Sequence, residues 1–251
     1  MTEIQKLFVF DFDGVVCDST DECMVTSWNA WEKWESRSGF RKTVSEFDEE
    51  EKAKFRKLRP RVRGAGEYYI LCRAFSEGIN IENQAGYSQL EADWKEHLAP
   101  FKALFFEERE HLRKINLDAW IDLHPVYDGV IEIMKQINDQ EKLYIATLKD
   151  GKSVRLILEK KGLFIEEEKL LDQAQITSKL QALDYFRGQI GCHKNDMVFI
   201  DDNVTHLLDP KSSGYPVYLA AWGSTVDEYL KIAEQKKIPL LKDCKFLFNS
   251  F

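Results

Sequence analysis

The chain has 251 residues, 44% of them hydrophobic and 31% charged, and carries a formal net charge of −8. That length suits one large domain, or a core domain carrying a smaller inserted one, and the apolar share argues for a folded protein and against disorder. The acidic balance counts against a bulk nucleic-acid binder, whose phosphate contacts need Lys and Arg, and no apolar run reaches membrane-spanning length.

Leu7 to Phe10 is short, apolar and ends at Asp11, the grammar of a fully buried strand in a parallel sheet. From about Asp18 to Leu123 the character changes: helical periodicity and charge runs, with no convincing buried strand. Trp28, Trp31 and Trp34 fall at i, i+3 and i+6, so they share a helix face, and packing against other helices is the expected role. The strand grammar resumes as LYIAT at 143–147, MVFI at 197–200 ahead of Asp201-Asp202, and VYLA at 217–220. Amphipathic helices are expected between them: Val126 to Ile137, Ser153 to Lys161 closed by Gly162, Ser178 to about Ile190, and a short one from His206 to Ser213. Ser178 and Gln181 have capping-box spacing, which puts Lys179 at the first helical position.

Five cysteines, Cys17, Cys23, Cys72, Cys192 and Cys244, form no CxxC pair. Such a set fits free thiols in a reducing cytosol, and MTEIQKLFVF lacks the basic region and long apolar stretch of a secretory signal, so the expected location is cytoplasmic.

In a doubly wound sheet ligands sit at the carboxyl ends of the strands. Here those ends carry Asp11 and Asp13, then Thr147, then Asp201 and Asp202, and Lys179 opens a helix on the same half of the chain. Clustered carboxylates repel one another unless something positive sits among them; a hard divalent cation does this, and Mg²⁺ is the usual choice beside phosphates. A carboxylate can attack phosphorus, a second can move the proton, and a hydroxyl and a lysine can hold the phosphoryl oxygens. Gly14 lets the chain turn sharply where a side chain would crowd a phosphate.

The set D11-F-D13-G14-V-V, then T147, K179 and D201-D202, with PVYDGV at 125–130, resembles the haloacid dehalogenase superfamily in its phosphoglycolate-phosphatase-like branch. The resemblance implies an α/β, Rossmann-like core with a doubly wound, mainly parallel sheet, over residues 1–17 and 124–251. Residues 18–123 would be a helical cap inserted between the first and second motifs. It implies that Asp11 is the nucleophile and a Mg²⁺ ligand, and that Asp13 is the general acid and base, with its main-chain carbonyl on the metal. Thr147 and Lys179 would hold the phosphoryl group, with Gly14 beside it, and Asp202 would be the distal metal ligand. An aspartate at 13 marks the phosphate-ester members, so the implied reaction is Mg²⁺-dependent hydrolysis of a small phosphorylated metabolite through an aspartyl-phosphate. A phosphomutase of the β-phosphoglucomutase type shares every core residue, and a non-catalytic phosphate-ligand binder is a further alternative. Three positions depart from the common pattern: Leu148 where many relatives have Asn, Leu180 where Lys-Pro is common, and His206 where a later Asp is common. Whether Asp201 adds a metal contact is left open by that last change.

The bland readings differ by motif. Asp-x-Asp-Gly is a common turn, and Glu22 falls where a calcium loop ends, but Val15 and Val16 occupy positions that a calcium loop reserves for a ligand and a glycine. The acidic and basic run from Asp48 to Lys57 reads as a solvated helix. RPRVRGAGEYY at 59–69, with Pro60, two glycines and three arginines, is a surface loop or one that offers Arg63 to an anionic substrate tail.

Overall fold

The computed structural model describes residues 6–244. They form two compact units, one from the described parts of Met1–Asp18 and Pro125–Phe251, the other from Ser19–His124.

In chain order the first unit opens with β1 (Leu7–Phe10), all four residues buried. The second unit holds α1 (Thr20–Trp34), α2 (Glu49–Leu58), α3 (Tyr68–Glu77), α4 (Gln84–Asp93), α5 (Lys95–Ile115) and α6 (Leu117–Asp122). The first unit then continues with α7 (Val130–Asn138), β2 (Leu143–Ala146), α8 (Gly151–Lys160), β3 (Leu170–Leu171), α9 (Lys179–Ile190) and β4 (Met197–Asp201). It closes with α10 (Val204–Ser212), β5 (Val217–Ala220), α11 (Asp227–Gln235) and β6 (Leu240–Leu241).

The six strands make one sheet in the order β3-β2-β1-β4-β5-β6, every neighbouring pair parallel. The chain moves outward from β1 to β3, then crosses back to β4 on the other side of β1. The doubly wound α/β class expected from the sequence is therefore present, with its topological switch point between β1 and β4. One face is filled by Val9, Ala146, Phe199 and Leu219 from the strands, with Ala182, Leu183, Phe186, Leu207 and Tyr229 from the helices.

Local chemistry explains where the elements depart from the sequence reading. The helix expected from Val126 starts at Val130, because Gly129 adopts a left-handed φ of 76° and Val126 pairs with Cys17 in an isolated bridge. The helix expected from Ser153 starts at Gly151, because Asp150 caps it by accepting from Ser153 N–H at 2.9 Å. Ser178 caps α9 as expected, accepting from Gln181 N–H at 3.2 Å; the Gln181 side chain reaches Thr177 N–H instead of Ser178. Asn203 caps α10, so the helix starts at Val204, two residues before the expected His206.

The second unit is helical throughout its regular structure. Its tryptophan stripe is packing: Trp31 and Trp34 meet Tyr69 and Phe101, and Trp28 meets Phe47 edge-on. Tyr68 stacks between Phe55 and Phe105, with interplanar angles of 5° and 4°. Deeper still, Arg109 grips both oxygens of Glu22, at 2.8 and 2.7 Å, while Thr26 and Trp120 donate to the same carboxylate.

Candidate active site

The site forms where β1, β2 and β4 end. Asp11 N–H still bonds Ile200 O at 2.9 Å, so the first aspartate leaves the sheet in register with the end of β4. The next residues coil back on themselves, with Val16 N–H on Phe12 O and Gly14 N–H on Cys17 O, both at 2.8 Å. Gly14 has φ +81°, and a Cβ there would collide with the Asp202 carboxylate. Only glycine lets that loop and Asp202 come together. The loop after β5 seals the other side: a Cβ at Gly223 would strike Gly14 O, Ser224 N–H donates to Asp202 Oδ2 at 2.8 Å, and the Trp222 indole N–H donates to Val15 O at 3.0 Å.

Charge is dense here. The Lys179 ammonium lies 2.6 Å from Asp11 Oδ1 and 3.5 Å from Asp201 Oδ2, and donates to Ala146 O at 2.8 Å. Lys179, Asp11, Asp201 and Asp202 are all buried. Burial pushes the Asp11 carboxyl up, the charge of Asp201 pushes the same way, and the net result is about 6 despite Lys179. Asp201 goes the other way: burial is outweighed by His206 and Lys179, with the Asn203 N–H, and its carboxyl falls to about 2. Lys179 is held above its ordinary value by the two carboxylates, against burial. Asp201 accepts from Asn203 N–H at 2.8 Å on Oδ1 and faces His206 Nδ1 at 3.1 Å on Oδ2.

Thr147 follows β2 directly. Its N–H bonds Leu171 O, and its Oγ1 accepts from Lys149 N–H at 3.1 Å, which leaves the hydroxyl hydrogen available to donate elsewhere. The structure thus brings Asp11, Asp13, Gly14, Thr147, Lys179, Asp201 and Asp202 to one end of the sheet. Arg63 belongs to the helical unit, where its guanidinium pairs with Glu67 at 3.2 Å and with Glu91.

Sequence reasoning missed Lys149, whose ammonium faces Asp13 Oδ1 at 3.1 Å. It also missed Tyr127, whose phenol is held above its ordinary value by burial and by the negative charge of Asp18 and Asp202. The signal for Tyr127 was the PVYDGV stretch itself; for Lys149 nothing in the spacing marks a lysine turned inward.

Two groupings could hold a cation. One ligand atom each from Asp11, Asp201 and His206 lies within 4.8 Å of the others. The Lys179 ammonium already occupies the space against those two carboxylates. The second is the set that the family resemblance implies, the Asp11 and Asp202 carboxylates with the Asp13 main-chain carbonyl, all hard oxygen donors. The named carboxylates number four beside the ammonium groups of Lys149 and Lys179 and the His206 imidazole, a concentration of negative charge that a bound cation would relieve.

A parallel doubly wound sheet with paired aspartates at its switch point defines an α/β protein whose ligand site lies at the carboxyl ends of β1 and β4. The chain belongs to the haloacid dehalogenase-like hydrolase family, whose model matches residues 5–208. No curated protein matches it by sequence. Among solved structures it is similar to a predicted phosphoglycolate phosphatase from Haemophilus somnus 129pt, at 17% identity and TM-score 0.65 over all of both chains. It is also similar to a haloacid dehalogenase-like family protein from Streptococcus pneumoniae, at 14% identity and TM-score 0.63 over all of both chains. A predicted phosphatase from Clostridium acetobutylicum shares 14% identity and TM-score 0.59 over 98% of each chain. At these identities the likeness is one of fold.

Proposed function

We propose that this protein is a Mg²⁺-dependent phosphatase that hydrolyses a small phosphate monoester through an aspartyl-phosphate on Asp11. The observation that carries the reading is the unbalanced cluster at the switch point: Asp11, Asp13, Asp201 and Asp202 against two lysines, with a threonine hydroxyl beside them. Membership of a hydrolase family and the fold shared with proteins described as phosphatases support it.

The Asp11 carboxylate attacks phosphorus, and the bond to the leaving oxygen breaks as Asp13 gives that oxygen a proton. Asp13 then takes a proton from water, whose oxygen attacks the phosphorus and frees Asp11. The Thr147 hydroxyl and the Lys179 ammonium hold the phosphoryl oxygens as their charge spreads in the transition state. Lys179 is fixed for this by Ala146 O and by Asp201, both of whose oxygens are already engaged by Asn203, His206 and Lys179. In this reading Asp201 positions the lysine, and Asp11, Asp202 and the Asp13 main-chain carbonyl would hold Mg²⁺. The ion, when bound, neutralises the carboxylate cluster and the phosphoryl oxygens.

The helical unit acts as the cap that selects the substrate and shields the transfer from water. Arg63 is left out of the substrate contacts, since Glu67 and Glu91 already take its charge. The five cysteines are free thiols, which fits a reducing cytoplasm. No helix among the described residues is long and apolar enough to cross a membrane.

Phosphate release from a panel of phosphorylated metabolites, with Mg²⁺ or with EDTA, tests the reading. Release that needs Mg²⁺ and is lost in Asp11→Asn supports it. Equal slow release by both proteins sinks it, and isomerised sugar phosphate from a hexose 1-phosphate makes the protein a mutase instead.

A further inference from the structure

Asp13 sits on a loop, not in a strand, and its side chain is 19% exposed. Its orientation is set by the groups that face its carboxylate, and an acid that protonates a leaving oxygen must point one way. Lys149 is one such group. Its side chain is fully buried, and lysine is almost never fully buried unless paired. Its ammonium straddles the Asp13 carboxylate, 3.1 Å from Oδ1 and 3.5 Å from Oδ2. The backbone aims it there. Thr147 Oγ1 takes Lys149 N–H, which curls the chain just past β2, and Asp150 then caps α8. Each aspartate of the Asp-x-Asp pair thus has a lysine of its own: Lys179 on Asp11, Lys149 on Asp13.

We infer that Lys149 is a positioning residue that holds the Asp13 side chain in the orientation from which its carboxyl group, once protonated, gives its proton to the leaving oxygen. The inference rests on the acid/base role proposed for Asp13.

The test is the dependence of kcat/KM on the leaving group, measured with substituted phenyl phosphates from p-nitrophenyl to p-methoxyphenyl. A nitrophenolate departs with little need of a proton; a methoxyphenolate needs one. Wild type should show a shallow slope. Lys149→Met should stay within about fivefold of wild type on the nitrophenyl ester and lose about 10²-fold on the methoxyphenyl ester. Asp13→Asn should show the same split, and the double variant should lose no more than Asp13→Asn alone. Lys149→Arg should recover most of the loss. A uniform loss across the series would make Lys149 a phosphoryl contact and overturn the inference. So would a lowered melting temperature with an unchanged slope, which marks a purely structural lysine. If Asp13→Asn shows no split, the acid/base role of Asp13 falls and takes the inference with it. If Asp13→Asn shows it and Lys149→Met does not, the inference alone falls. Should Lys149→Met not fold, Lys149→Gln reads the same slope.

Discussion

Two buried charge clusters, one in each unit, use the same materials to opposite ends. In the helical unit Arg109 grips both oxygens of Glu22, Thr26 and Trp120 add donors to the same carboxylate, and His124 Nε2 lies 3.7 Å from it. In the α/β unit Asp11, Asp13, Asp201 and Asp202 gather beside Lys149, Lys179 and the His206 imidazole. The first cluster sets a carboxylate against a guanidinium at close range, so its charges tie helices together. The second is left in excess, and the excess shows in the Asp11 carboxyl, pushed up to about 6 by burial and by Asp201. A buried charge is a fastening when its partners equal it and a reagent when they do not.

That contrast can be broken by exchanging the expected outcomes. Asp11→Asn should lower turnover by about 10³-fold or more while leaving the protein folded, read as phosphate release beside a thermal melt. Arg109→Met should do the reverse. It strands a buried Glu22, so it should cost about 3–5 kcal/mol and roughly 10 °C in melting temperature. The protein that stays folded should retain phosphate release. If Arg109→Met melts like wild type, the balanced cluster is not a fastening. Between these extremes lies Gly14→Ala. Its Cβ must displace the Asp202 carboxylate, so Mg²⁺ affinity by titration calorimetry should weaken by about 10- to 100-fold. Unchanged affinity would remove Asp202 from the ion's ligands.

The two clusters also differ in how far they can be read from the sequence. β1, β2, β4 and β5 are legible because buried parallel strands are unbroken apolar runs, and aspartates stand at the ends of β1 and β4. β3 and β6 are two residues each, too short for any periodicity. α11 buries only Tyr229 and Ala233, too narrow a stripe to register. Within the site, Asp11, Asp13, Asp201 and Asp202 are visible as pairs. Lys149 is not, because its inward turn depends on a threonine hydroxyl two residues earlier. The Ser224 N–H that holds Asp202 is a main-chain group and leaves no side-chain mark at all. Glu22 and Arg109 are 87 residues apart, and only the packing of α1 on α5 brings them together.

The smallest expected effect is the one that separates excess charge from balanced charge most directly. Asp11 titrates near 3.8 when unfolded and near 6 when folded. A carboxyl raised on folding favours the folded state below its unfolded value, and that advantage is lost as pH rises through the folded value. Without metal, stability should therefore decline from about pH 4 to pH 6 on account of this residue. Asp201, lowered from 3.8 to about 2, acts with the opposite sign: its contribution is present above pH 4 and lost as pH falls toward 2. The two windows adjoin without overlapping, so melts in EDTA across the range separate them. Asp11→Asn should flatten the upper window and leave the lower one intact. Added Mg²⁺ needs an ionised Asp11, so the rise in melting temperature it produces should grow between pH 5 and pH 7 in wild type and stay flat in Asp11→Asn. A Mg²⁺ effect of equal size in both proteins would place the ion away from Asp11 and leave the excess charge of the cluster without its counterion.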